Sequence, residues 1–172
     1  MKRLAMQVFF YGIGMLLIGY LSANPLYRHQ HPDTALIRLS FSHAGERRED
    51  CRQLSPAEIA ALPPNMRRPT QCKRARVDLA VELEMDGLRL FQGRLPPSGL
   101  AGDGASTVYR RFVVSPGRHA LTARLRDSRR SAGFDHEKSA EITLSPGENF
   151  VIDFSRERGG FVFLGATTVA AR

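Results

Sequence analysis

The sequence predicts a mainly β protein, in which one N-terminal transmembrane helix precedes an antiparallel β-sandwich of seven or eight strands. Three observations indicate this class: an apolar stretch near the N-terminus, short segments in which apolar and polar residues alternate, and Pro-Gly or Asp-Gly signals between those segments. A chain of 172 residues has room for one domain with its own core beside the membrane segment. We therefore expect a single folded domain.

The membrane segment is predicted within residues 1–23, where residues 4–23 contain only two strongly polar side chains. Twenty residues in a helix cover about 30 Å, the thickness of a hydrocarbon core. Lys2 and Arg3 precede the stretch, and basic residues stay on the cytoplasmic side of a membrane. This order predicts a single-pass anchor in a bacterial inner membrane, with the C-terminal domain in the periplasm.

A cleaved signal peptide is the alternative for the same segment, because a basic start, an apolar stretch and Ala23 before Asn24 follow one another in the right order. Leu21 is larger than signal peptidases prefer at the third position before that bond, which favours the anchor. Both alternatives place the rest of the chain in the same compartment. Residues 24–33 are then the linker to a domain at 34–164.

The two cysteines, Cys51 and Cys72, are predicted to form a disulfide that closes an insertion at residues 51–72. A disulfide that closes a loop of this length lowers the conformational entropy of the unfolded chain. This stabilises the folded state by about 3 kcal/mol. Inside the insertion, a capping box that begins at Ser55 predicts a short helix, which Pro63 and the next proline end. A reactive or metal-binding thiol pair is the alternative, but the spacing lacks the Cys-x-x-Cys motif.

Alternation predicts each strand of the domain. Between the strands, Asp86-Gly87 predicts a tight hairpin, and two Ser-Pro-Gly sequences predict further turns. The tail at residues 165–172 is expected to fray. The predicted strands are 37–41, 77–85, 88–95, 107–114, 119–126, 140–144 and 150–154, with a closing edge strand at 161–164.

The two Ser-Pro-Gly turns carry a family resemblance. The stretches Phe112–Leu121 and Leu144–Phe150 resemble the strand–Pro-Gly–strand turns of PEGA-like and transthyretin-like domains. This resemblance implies an immunoglobulin-like sandwich. The whole layout resembles bacterial membrane-anchored exported proteins with one such domain, including the general plan of accessory proteins of respiratory oxidases, although the insertion at 51–72 departs from the simple module.

The positive charge of the chain predicts an anionic partner. The formal net charge is +8, and the part after residue 23 retains 23 basic and 17 acidic residues. An acidic envelope protein or anionic headgroups are the expected partners, a solvated polar surface is the alternative, and export disfavours nucleic acid. The candidate patch comprises Arg67, Arg68, Lys73, Arg74, Arg110, Arg111, Arg124, Arg126, Arg129 and Arg130.

Metal binding is a weaker hypothesis that rests on His29 and His31. On a strand, the two imidazoles of this His-x-His pair would share one face and suit a copper or zinc ion. A solvated linker explains them equally well, and the other three histidines fall on different predicted elements. No cofactor is predicted.

Catalytic motifs are not found in the sequence. No serine lies in a Gly-x-Ser-x-Gly elbow, and the glycine-rich loop around Asp103 is not followed by Lys-Ser/Thr or by a helix. We therefore expect a non-catalytic, membrane-anchored periplasmic interaction or scaffold module, such as an accessory or assembly subunit of an envelope or respiratory complex. A periplasmic metal or small-ligand carrier that uses His29 and His31 is the alternative.

Overall fold

The computed structural model describes residues 2–24, 33–165 and 167–169, with the backbone alone for the last three. The chain divides into two compact units, residues 1–31 and residues 32–172, the second of which we call the β unit. The predicted linker histidines, His29 and His31, lie outside the described residues.

The first unit contains helix α1 (Lys2–Ala23), which has no buried residue. By length and composition α1 is suited to cross a membrane, as predicted. Its apolar side chains are almost all exposed.

The β unit confirms the mainly β prediction, and most predicted strands have bounds within a few residues of those observed. Alternating burial along each long strand shows why these sequences form sheets. A one-turn helix, α2 (Pro56–Ala61), and a 3₁₀ turn (Pro64–Met66) interrupt the strands. The described strands are β1 (Ala35–His43), β2 (Arg52–Gln53), β3 (Thr70–Gln71), β4 (Leu79–Met85), β5 (Leu88–Leu95), β6 (Ser106–Val114), β7 (Gly117–Arg126), β8 (His136–Leu144), β9 (Asn149–Ser155), β10 (Gly160–Leu164) and β11 (Thr167–Val169).

Two sheets contain the long strands. One has the order β10-β9-β1-β6 and the other the order β11-β8-β7-β4-β5. Inward side chains of both sheets form a single apolar core, in which Ile37, Leu83, Leu125 and Phe150 are fully buried. The side chains that alternate with them along β4, β5 and β7 lie on the opposite, outer face of the five-stranded sheet.

The hairpin between β4 and β5 has the predicted turn. Asp86 and Gly87 both have positive φ, 53° and 77°, as a two-residue turn of this type requires. The Asp86 carboxylate also accepts a hydrogen bond from the backbone N–H of Ala120 on β7, at 2.8 Å. The turn is thereby fastened to the neighbouring strand.

The structure corrects two details of the prediction. β1 pairs with β9 in parallel, so the β unit is not wholly antiparallel. No hairpin links these strands, which are distant in sequence, and their relative direction is therefore not restricted by a short turn. In addition, β11 pairs with β8 within the segment that was expected to be a frayed tail.

The insertion at 51–72 forms as predicted. Cys51 and Cys72 are joined in a disulfide, and β2 pairs with β3 beside it. The capping box of α2 is complete, because the Ser55 side chain accepts from the Glu58 N–H and the Glu58 side chain accepts from the Ser55 N–H. The Ser55 N–H bond and the Arg52 guanidinium lower the pKa of Glu58 to about 2.

Candidate anion-binding cleft

An open cleft of about 600 Å³ lies on the outer face of the five-stranded sheet, and we call it the arginine cleft. Its walls carry five arginines and one carboxylate, so a negatively charged group is its natural ligand. The lining residues are Arg48, Val77, Asp78, Ala80, Arg94, Arg126, Ser128, Arg129, Arg130 and Ser131.

The centre of the cleft is a cross-strand row. The register places Arg94 of β5 opposite Ala80 of β4, and Ala80 opposite Arg126 of β7. Neighbouring strands lie about 4.8 Å apart, so the two arginine Cα atoms are separated by about 10 Å. Since the alanine has only a methyl group, a gap remains between the two guanidinium-bearing side chains.

Neither arginine of this row is paired with a carboxylate in the part of the chain that the structure describes. Among the described residues, neither Arg94 nor Arg126 forms an ion pair. Arg126 donates only to the neutral backbone carbonyl of Gly133, at 3.1 Å. Their positive charge is therefore available to an external anion.

The loop after β7 supplies two more arginines, which are held in place by carboxylates. Arg129 pairs with Asp50 at 2.9 Å and with Glu46 at 3.4 Å, and Arg130 pairs closely with Asp135. Burial opposes ionisation of Asp135, but hydrogen bonds from Arg130 and from the Ser128 side chain and backbone keep its pKa well below the usual range.

The Asp135 carboxylate also organises the backbone of that loop. It accepts hydrogen bonds from the N–H groups of Asp127 and Ser128, at 3.0 and 3.1 Å. On the opposite wall, Arg48 donates to the Arg76 carbonyl at 2.9 Å and pairs with Asp78 at 3.3 Å. The rim of the cleft is thus preformed, which limits the ordering that a ligand would have to impose.

Arg124 lies two residues before Arg126 on β7, in the neighbouring cross-strand row, and has a different role. Its guanidinium contacts Glu82 and Glu84 at 2.9 Å each and Glu137 at 3.1 Å. The bond to Glu84, followed by those to Glu137 and Glu82, raises the pKa of Arg124. Because three carboxylates already surround it, Arg124 stabilises the sheet and is not free to bind a further anion.

The predicted basic residues belong to different elements of the β unit. Arg126, Arg129 and Arg130 line the arginine cleft. Two others, Arg110 and Arg111, lie on β6 of the other sheet. Arg124 lies among carboxylates on β7, as described above. The other four predicted residues belong to the insertion and the segment after it: Arg67, Arg68, Lys73 and Arg74.

Sequence reasoning missed Arg48 and Arg94. Arg48 follows Arg47 directly and so offered the same signal as the other arginine pairs, whereas Arg94 stands alone between Gly93 and Leu95. The alternation of β5 offered a usable signal for Arg94, because it places that residue on the polar face of a predicted hairpin.

A second polar cluster lies at a buried carboxylate. The Asp127 side chain is only 7% exposed and contacts His43 at 2.8 Å, Arg156 at 3.1 Å and His136 at 3.6 Å. The hydrogen bond from His43 lowers the pKa of Asp127, with further contributions from His136 and Arg156. Phe154 packs against both imidazoles, with centroid distances of 4.6 and 5.0 Å.

The fold brings His43 and His136 together at Asp127, although the sequence analysis assigned them to separate elements. Within the described part of the chain, no group of three or more histidine, cysteine or acidic side chains has an arrangement that suits a metal ion. His119 lies elsewhere, where it contacts Asp86 at 2.7 Å and the Ser115 carbonyl at 3.0 Å. The bond to Asp86 raises the pKa of His119 and fastens the β4–β5 turn to β7.

Comparisons with protein-family models, with curated proteins and with solved structures found no match to this chain.

Proposed function

We propose that the protein is a non-catalytic, membrane-anchored interaction module, in which an immunoglobulin-like sandwich uses the arginine cleft to bind a carboxylate-rich surface of another envelope protein. The row Arg94–Ala80–Arg126 carries this proposal, because it combines a gap with two cations that have no carboxylate partner in the described part of the chain. An accessory or assembly role in an envelope complex is the corresponding function.

The chemistry of the cleft favours binding over reaction. Guanidinium groups remain protonated at any physiological pH, so they do not exchange protons with a substrate. They do offer planar, forked donors that match a carboxylate with two parallel hydrogen bonds. A protein partner fits better than a small ion, since an open cleft of about 600 Å³ with several arginines along its rim accommodates more than one carboxylate.

Two features support the extracytoplasmic location in this proposal. Lys2 and Arg3 form the N-terminal end of helix α1, ahead of its apolar residues, which favours a cytoplasmic N-terminus. The Cys51–Cys72 disulfide is typical of an oxidising compartment. We expect a protease added outside spheroplasts to digest the β unit, whereas digestion only after the inner membrane is opened would contradict this orientation.

Site-specific photocrosslinking tests the proposed interaction in cells of the native host. A benzophenone amino acid at Ser131, an exposed residue of the cleft, should yield a discrete crosslinked partner. The double substitution Arg94→Gln and Arg126→Gln removes both charges of the row and should abolish that crosslinked product. The matched control is Arg118→Gln, which changes an exposed arginine of the same strand that already pairs with Glu141 at 3.0 Å. An equal yield of product in all three proteins would refute the proposal.

A further inference from the structure

The insertion at 51–72 contains a second concave surface, of about 410 Å³, which we call the insertion groove. It shares no lining residue with the arginine cleft. Apolar side chains form much of its surface, and polar side chains of β2 and β3 complete the walls. The lining residues are Arg52, Leu54, Glu58, Ala61, Leu62, Met66, Arg68, Thr70 and Gln71.

Several independent contacts hold the groove in shape. Besides the disulfide and the β2–β3 pair, the Leu54 N–H donates to the Pro69 carbonyl at 2.9 Å. Arg67 donates to the carbonyls of Ala60 and Leu62 at the end of α2, at 3.3 and 3.1 Å. Such a preformed surface binds a ligand with a smaller loss of conformational entropy.

The apolar residues of the groove are incompletely covered by the β unit. No residue of α2 is buried, Leu54 and Leu62 are half-buried, and Met66 is 54% exposed. A methionine is flexible and adapts to the shape of an apolar side chain that contacts it. Exposed apolar groups that cluster in a concave, rigid surface are typical of a binding site.

The charge around the groove indicates what binds there. Residues 47–76 contain eight basic and three acidic side chains, which gives this segment a charge of +5 out of +8 for the whole chain. Arg52 pairs with Glu58 at 2.8 Å, and Lys73 pairs with Glu49 at 2.8 Å. Among the described residues, Arg67 and Arg68 have no carboxylate partner, and Arg68 stands at the groove itself.

We propose that the insertion groove binds a peptide segment of a partner protein that carries one apolar anchor side chain flanked by carboxylates. The anchor would contact Leu54, Leu62 and Met66, and the flanking carboxylates would pair with Arg68 and the neighbouring cations. A lipid surface fits less well, because the apolar atoms line a concavity and do not protrude. This inference goes beyond the proposed function and does not depend on the arginine cleft.

Methionine methyl NMR tests the proposal on the full chain in phosphatidylcholine nanodiscs. Met66 reports on the groove, and Met85 of β4 serves as an internal reference in the same spectrum. Short peptides with a central leucine between glutamates should shift the Met66 signal and leave Met85 unchanged. Peptides with serine at the centre, or with lysines in place of the glutamates, should bind at least about tenfold more weakly.

Two variants test whether the peptides bind in the groove and not elsewhere on the molecule. Ala61→Trp, at an exposed position, should fill the groove and prevent the Met66 shift, and Arg68→Glu should weaken binding about tenfold by removing the charge match. Arg118→Gln, at an exposed arginine that lines neither concave surface, should leave the Met66 response unchanged. Because Met66 lines the groove and not the arginine cleft, a failure of this inference is distinguishable from a failure of the cleft.

Three outcomes would overturn the inference. The first is a Met66 signal that does not respond to any of the peptides. The second is a response to phosphatidylglycerol vesicles alone, which would assign the groove to lipid. The third is a response to protein concentration alone, which would assign it to a second copy of the chain.

Discussion

Two neighbouring rows on the outer face of the five-stranded sheet contain the same residue type in opposite circumstances. In the row Gln92–Glu82–Arg124–Glu137, one arginine lies between carboxylates on two adjacent strands. In the row Arg94–Ala80–Arg126, two arginines lie on either side of a methyl group. We call these the paired row and the open row.

The difference shows that the cross-strand neighbour decides what an arginine does. Arg124 is 25% exposed and its charge is matched within the sheet, so its contribution is to stability. Arg126 follows two residues later on the same strand, yet within the described ranges its guanidinium has only a backbone carbonyl as partner. Its charge therefore contributes to the surface potential, and the proposed function assigns that potential to partner binding.

The largest effect on stability is expected for Asp127, which follows Arg126 in the sequence. Its buried carboxylate contacts three side chains, those of His43, His136 and Arg156. Asp127→Asn should lower the free energy of unfolding by about 3 kcal/mol at neutral pH, because the hydrogen bond to His43 and the ion pair with Arg156 lose the buried carboxylate charge. Urea unfolding, followed by the circular dichroism of the sheets in detergent solution, measures this change. Asp153→Asn, at a half-buried position of the neighbouring β9, is the control.

The same substitution should change the pH profile. The folded pKa of Asp127 is lowered, so its contribution is complete above the pKa of about 4 in the unfolded chain. It is lost as the pH falls from there through the lower, folded pKa. The wild-type protein should therefore lose more stability in this acid range than Asp127→Asn does, and parallel profiles would contradict the assignment.

A smaller effect is expected in the paired row. Arg124→Ala should lower the free energy of unfolding by about 2 kcal/mol, since the mostly buried Glu82 loses its closest cation and retains only Arg89 at 3.5 Å. Arg126→Ala should change it by no more than about 0.5 kcal/mol. Equal losses for the two variants would remove the distinction between the rows.

Local sequence signals predicted much of the fold. Alternation gave the long strands, Asp86-Gly87 gave the hairpin, and the capping box with its prolines gave α2. The disulfide followed from the presence of only two cysteines. Each of these features depends on residues close together in the chain, or on a pairing without alternatives.

The candidate site was predicted only in part, because it depends on register. Alternation says which face a side chain occupies, but not which residue lies opposite it on the next strand. Arg94 and Arg126 are neighbours only through Ala80, and His43 and His136 meet only at Asp127. The parallel pairing of β1 with β9 was missed for the same reason, since no local signal specifies the partner of a strand.

The most direct test is a substitution that converts the open row into a paired row, and it carries the smallest expected change in free energy. Ala80→Glu places a carboxylate between Arg94 and Arg126, and the matched control Ala80→Gln fills the same gap without charge. Titration calorimetry of oligoglutamate with the full chain in phosphatidylcholine nanodiscs should show binding that weakens with added salt. Ala80→Glu should weaken it at least about tenfold more than Ala80→Gln does. Equal affinities for wild type and Ala80→Glu would contradict the central claim that the open row binds anionic partners.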